Sequence, residues 1–146
     1  MAKVVAINIS EKKGTIKNPI DEGNFIKELG LEGDAHGGNW HRMVSLLAQE
    51  SIDKMIKAGV DNLKPGMFAE NITTEGIELH KLPIGTKLKI GDTIQEVTQI
   101  GKECHTGCAI KTQVGKCIMP REGIFTKIIK EGKVRPGDII ELINDN

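Results

Sequence analysis

KLKIGDTIQEVTQI, residues 87–100, reads as two strands joined by Gly91-Asp92. A Gly-Asp pair between two strand-like runs is the chemistry of a tight hairpin turn. The second run does not alternate cleanly, so a bulge or burial on both faces is expected in it. Working outward, the same grammar of short runs and turn residues recurs. Val4 to Ile9, Gly123 to Lys130 and Asp138 to Ile143 read as strands, and Pro65-Gly66 and Pro136-Gly137 stand where a type II turn places Pro and Gly. Lys12 to Gly23 reads as a polar loop, and Phe25 to Leu31 is ambiguous between strand and helical turn. One substantial helix is expected, Gln49 to Ala58, with Ile52, Met55 and Ile56 on one face and Gly59 as its left-handed cap. Many short strands with regular turn signals predict a mainly β fold, a closed barrel or sandwich with peripheral helix.

The 146 residues fit one domain, residues 1–146, with no repeat or linker. With only 3% aromatic residues the core must rest on Ile, Leu, Val and Met. Twenty basic and twenty acidic residues cancel, and four aromatics make a poor stacking platform, so no nucleic-acid partner is expected. No run approaches the roughly 20 apolar residues of a membrane span. Met1 to Ser10 reads as a first strand rather than an export signal, so a cytoplasmic location with three reduced cysteines is expected.

Two segments hold the unusual chemistry. GDAHGGNWHR, Gly33 to Arg42, contains Asp34, His36, His41 and Arg42. Its glycines allow close backbone approach to a ligand, and His and Arg supply donors for an anion; a surface loop that only bonds its own turns is an equal alternative. GKECHTGCAIKTQVGKC, Gly101 to Cys117, carries Cys104, His105, Cys108 and Cys117. Such a cluster fits a nucleophilic or sulfur-carrying thiol, or a zinc site that lacks the paired knuckles of a strong zinc signature. Cys108 and Cys117 read as small buried hydrophobes. Cys104 differs, because Lys102 and His105 beside it favour a thiolate while Glu103 opposes it. Glu70-Asn71 in FAENITT reads as part of a strand, where only one of two neighbours can face a given pocket. Arg121 in IMPREGIF follows Pro120, a fair position for an anion contact.

Taken in order, LEGDAHGGNWHRMVSLLAQESID, LKPGMFAENITTEGIEL, LPIGTKLKIGD, VTQIGKECH, CIMPREGIF and GKVRPGD resemble the MOSC family, named for the C-terminal domain of molybdenum cofactor sulfurase. The match spans about Gly30 to Asp138 and looks like the short, stand-alone prokaryotic type. The resemblance implies a MOSC-type β-barrel with a few peripheral helices and a cysteine, here Cys104, that carries sulfur or contacts molybdenum. It also places Asp34, His36, Arg42, Glu70 and Asn71 near the pocket. The full sulfurase adds a pyridoxal-phosphate desulfurase domain and the amidoxime-reducing relatives an N-terminal domain. With 146 residues, this chain is not expected to generate persulfide from free cysteine or to form a complete reductase.

The expected function is therefore a sulfur carrier or handler of the molybdenum cofactor (molybdopterin), bound as substrate or cargo. Cys104 would bear a persulfide or contact molybdenum, and Arg42, Lys102 and Arg121 would hold the pterin phosphate. The partners expected are a cysteine desulfurase as donor and a molybdoenzyme as acceptor. A sulfur transferase acting on the cofactor is one form of this; a non-catalytic delivery module and a zinc-stabilised structural domain are the alternatives. For one site to form, Gly33–Arg42 and Gly101–Cys108 must meet although about 60 residues separate them, by strands returning to one barrel end.

Overall fold

The computed structural model describes residues 2–11, 16–35, 38, 43–59, 63–101 and 122–143. Eight strands form the main sheet: β1 (Lys3–Ile9), β2 (Asn18–Ile20), β5 (Val44–Ala48), β6 (Ile72–Glu75), β7 (Lys87–Ile90), β8 (Thr93–Ile100), β9 (Ile124–Lys130) and β11 (Ile140–Ile143). Their spatial order is β11-β7-β8-β9-β5-β6-β1-β2. A smaller sheet, β10-β3-β4, is built from β3 (Gly23–Ile26), β4 (Gly30–Leu31) and β10 (Gly132–Val134).

The predicted hairpin at Gly91-Asp92 is present, with Ile90 opposite Thr93, and β8 carries two irregularities, Ile94/Gln95 and Val97/Gln99. Both Pro-Gly turns are also formed, with Gly66 at φ 91° and Gly137 at φ 94°. All pairs are antiparallel except β5–β6, whose connection runs through helix α1 (Gln49–Lys57). The fold is mainly β, as expected, but the sheet does not close by a full strand pairing. Its two margins meet through one antiparallel bridge, Lys3 to Ile139. The barrel is thus a curled sheet held at its seam by Val4, Gly137, Asp138 and Ile140 backbone bonds.

Alternation divides β5 between two cores. Val44, Leu46 and Ala48 point into the curl with Ile7, Ile72, Leu88, Ile90, Val97 and Ile124. Phe25, Leu31 and Val134 of the small sheet join the same interior. Leu47 points outward and packs with Phe125, Phe68, Ala69, Ile52 and Met55, so α1 and the 63–69 turn cover the outer face. Each fully buried aliphatic contributes about 1.5–3 kcal/mol relative to exposure. The helix covers with a narrower stripe than its periodicity predicted: Ile52 and Met55 are buried, whereas Ile56 is 46% exposed. Gly59 adopts the predicted left-handed conformation, φ 99°.

Candidate functional site

On the outer face, one row of residues crosses five neighbouring strands. Gln99 in β8 stands opposite Phe125 in β9, and Phe125 opposite Ser45 in β5. Asn71, just before β6, gives its N–H to the Ser45 carbonyl at 2.9 Å, and Asn8 in β1 gives its own to the Asn71 carbonyl at 2.8 Å. Apart from Phe125 the row is polar, and it lies beneath the 63–70 turn.

Asn71 is the hub. Its Oδ1 accepts the Ser45 N–H at 3.0 Å and the Ser45 hydroxyl at 3.1 Å. Its amide nitrogen donates to the Asn8 carbonyl at 3.4 Å, and its side chain also hydrogen-bonds the Asp34 carboxylate. Asn8 Nδ2 donates to the Glu70 carbonyl at 3.1 Å and to Thr73 Oγ1 at 3.0 Å, and the Thr73 hydroxyl donates to Glu70 Oε2 at 2.8 Å. The Phe68 N–H reaches Glu70 Oε1 at 3.3 Å. Complete burial pushes the Glu70 carboxyl up, against the opposing bonds from the Gly66 backbone and Thr73.

A strand period through FAENITT predicts opposed side chains for Glu70 and Asn71. Instead both precede β6, after Ala69 at φ 64°, and both side chains are buried in one layer. A left-handed residue breaks the two-residue alternation, so the argument from strand period does not apply there.

Asp34 joins this layer through Lys17. Lys17 Nζ lies 2.7 Å from Asp34 Oδ1 and 3.0 Å from Ser10 Oγ, and the Ser10 N–H donates to the same carboxylate oxygen at 3.0 Å. Both side chains of the ion pair are fully shielded from solvent. Burial works to raise the Asp34 pKa, but the Lys17 bond and charge, with Asn71 and Ser10, outweigh it and hold the carboxyl below its usual range. Lys17 was not anticipated, because a lysine in a polar run reads as solvated. The polar segment itself forms edge strand β2, which a three-residue run containing Pro19 does not announce.

A cleft of about 730 Å³ opens at the C-terminal end of β5, walled by Ala48, Ser51, Lys54, Ile77, His80 and Glu122. Glu122 accepts the Ser51 hydroxyl at 2.6 Å and Lys54 Nζ at 3.0 Å, with His80 Nδ1 at 4.0 Å. Burial raises its pKa, and the Ser51 and Lys54 bonds with the Lys54 and His80 charges more than reverse this, leaving it ionised. Glu122 directly follows Arg121 in the PREGIF stretch, and its partners sit 68 and 71 residues away, so no local signal marked the cluster.

Of the expected site residues, Asp34, Glu70 and Asn71 are described and the structure brings them together. His36, His41, Arg42, Lys102, Cys104, His105 and Arg121, with Cys108 and Cys117, lie outside the described residues. Their anchor points are fixed. Segment 36–42 is followed by Met43 at the N-terminal end of β5, while Gly101, bonded to the Gly123 carbonyl at 2.7 Å, lies level with the C-terminal end of that strand. The two segments therefore attach at opposite ends of β5, about 16 Å long, rather than at one end of the sheet. No cluster of three metal-ligating side chains occurs among the described residues.

The family model for the MOSC domain matches residues 32–141. The chain belongs to the MOSC domain family. Among solved structures, this MOSC chain is similar to YiiM from Geobacillus stearothermophilus, at 19% identity and TM-score 0.77, covering 99% of this chain and 76% of that one. The YuaD protein from Bacillus subtilis is similar at 19% identity and TM-score 0.75, covering 97% and 96%. YiiM from Escherichia coli follows at 20% identity and TM-score 0.70, covering 100% and 71%. At these identities the likeness establishes the MOSC fold. No curated protein sequence matches the chain.

MOSC membership connects the chain to molybdenum cofactor-related function. The described residues do not themselves form a cradle for that cofactor's phosphate. Asp34 and Glu70 are carboxylates, and Asn8 Oδ1, the buried atom of this layer without a hydrogen-bond partner among the described residues, is an acceptor where an anion needs donors. Among the described residues, Asp34, Glu70 and Asn71 bond to Lys17, Thr73 and Ser45. No helix among the described residues is long and apolar enough to cross a membrane.

Proposed function

We propose that this MOSC protein handles sulfur for the molybdenum cofactor, with Cys104 as the sulfur-bearing thiol and the cofactor as substrate or cargo. The observation that carries the reading is the transverse polar row. One of its ends, Asn8–Asn71, is bonded to Asp34, two residues before His36; the other, Gln99, donates to the Gly101 carbonyl at 2.7 Å, three residues before Cys104. From Asn71 to Gln99 is three strand spacings, about 14 Å. Three residues reach at most about 10 Å and two about 7 Å, so chain geometry allows His36 and Cys104 to meet over the row. Arg42, Lys102 and Arg121 are cations of the two segments and of PREGIF, and they supply the donors that Asp34 and Glu70 cannot.

In this reading the Cys104 thiolate takes the outer sulfur of a donor persulfide. A new S–S bond forms at Cys104, the donor's S–S bond breaks, and the donor leaves as a thiolate. A cysteine desulfurase is the donor and a molybdoenzyme the final acceptor. Intact-mass measurement after incubation with a persulfide donor tests this. One added sulfur is expected in the wild type, Cys108→Ser and Cys117→Ser, and none in Cys104→Ser. Loading that persists without Cys104 would move the active sulfur to another cysteine. Equal destabilisation by all three changes, with one zinc per chain, would support a structural metal domain instead. Tight cofactor binding by Cys104→Ser, with no loading in any variant, would support a delivery module.

A further inference from the structure

The cleft at the C-terminal end of β5 shares no residue with the buried polar layer. Its 730 Å³ falls within the range of pockets that hold small organic molecules, about 300–1,000 Å³. Bonds among its own walls keep it open. Leu79, fully buried in the main core, anchors the 3-10 helical turn Leu79–Lys81. Glu50 Oε2 accepts the Gly76 N–H at 2.7 Å, which ties the turn after β6 to the start of α1. Ile77 and Leu82, partly buried against the same core, and Ala48 give the cleft its apolar surface.

Glu122 supplies the charge. Its ionised carboxylate is 15% exposed and takes the Ser51 hydroxyl on one oxygen and Lys54 Nζ, at 3.0 Å, on both. Ser51 is buried, so its bond is sheltered. Lys54 is 58% exposed, and an ion pair of that kind is weak and readily exchanged. Around the cleft, the carboxylates of Glu50, Glu78 and Glu122 face only two lysines, Lys54 and Lys81, and His80 adds charge only when protonated. An incoming anion must displace Glu122 from Ser51 and Lys54, or Glu78 from Lys81 at 2.8 Å. An incoming cation displaces only the exposed Lys54 ammonium.

We propose that this cleft binds a small organic cation, an apolar body bearing an amidine or primary ammonium, with Glu122 as its counter-ion in place of Lys54. A planar amidinium pairs with a carboxylate through two parallel N–H bonds. The apolar body then covers Ala48, Ile77 and Leu82.

The test titrates the isotope-labelled full chain with benzamidine, and with benzoate as the anion of the same shape, followed by amide NMR. Benzamidine is expected to shift the Lys54, Gly76 and Ile77 signals and to bind about tenfold more tightly than benzoate. Glu122→Gln keeps an acceptor for Ser51 and is expected to weaken benzamidine about tenfold. Lys54→Met removes the competing cation and is expected to tighten it about threefold, which a merely structural role for the Lys54–Glu122 pair would not produce. Benzoate binding as tightly as benzamidine, or benzamidine leaving the cleft signals unmoved, would overturn the proposal. So would wild-type affinity in a folded Glu122→Gln protein. Should melting curves show Glu122→Gln unfolded, Lys54→Met decides: unchanged or weaker benzamidine binding there would overturn it.

Discussion

Replacing Asn71 by alanine removes the hub of the outer polar row. The Ser45 N–H and hydroxyl lose the acceptor they share at 3.0 and 3.1 Å, and Asp34 loses one of the bonds that stabilise its charge. A buried N–H left without a partner costs about 1–3 kcal/mol, and a hydrogen bond to a charged group contributes about 1.5–3 kcal/mol. The Ser45 hydroxyl has a second acceptor, the Ala69 carbonyl at 3.1 Å, so it can turn and lose little. The sum is about 3–5 kcal/mol, roughly 10 °C or more in Tm for a chain of this size. Urea unfolding measures it directly, as a lower midpoint at unchanged slope. Asn71→Asp keeps the acceptor but sets a second carboxylate beside Asp34, so its deficit should grow as pH rises above the carboxylate range. A loss below about 1 kcal/mol in Asn71→Ala would show that the amide is not the hub described.

The two buried carboxyls predict opposite pH dependences. Asp34 titrates below its unfolded value of 3.8, so its stabilisation is present above that pH and is lost as pH falls through the lowered value; the stability gap between wild type and Asp34→Asn should narrow on acidification. Glu70 titrates above its unfolded value of 4.5, so its advantage is full below that pH and lost as pH rises through the raised value; Glu70→Gln should gain on wild type across that rise. Denaturant midpoints from pH 3 upward check both signs. On the helix, Ile52→Ala should cost about 2–5 kcal/mol and Ile56→Ser less than about 0.5 kcal/mol, since only Ile52 is enclosed.

The strands and turns that were legible in the sequence are those with local signatures. Gly91-Asp92, Pro65-Gly66 and Pro136-Gly137 each require a backbone shape that their own residues supply, and the irregular alternation of TIQEVTQI did announce a bulge. β2, β4 and β10 were not legible, because two or three residues with Pro or Gly carry no period. Curvature and the Lys3–Ile139 seam depend on register between the ends of the chain, which no window of sequence contains. For the site, Asp34, Glu70 and Asn71 were singled out by their place in the MOSC-like motifs, while the partners that bury them are non-local. Lys17, Ser45 and Asn8 turn two carboxylates and an amide into a sealed scaffold, and Glu122 acquires its role only from Ser51 and Lys54.

If Cys104 lies at the site that takes the molybdenum cofactor, differential alkylation will report it. The full chain would be treated with iodoacetamide with and without the isolated cofactor, and each of the three cysteines read by peptide mass spectrometry. Cys104 should react fastest in the free protein and be protected by the cofactor, while Cys108 and Cys117 are unaffected. Equal Cys104 alkylation with and without saturating cofactor would contradict it.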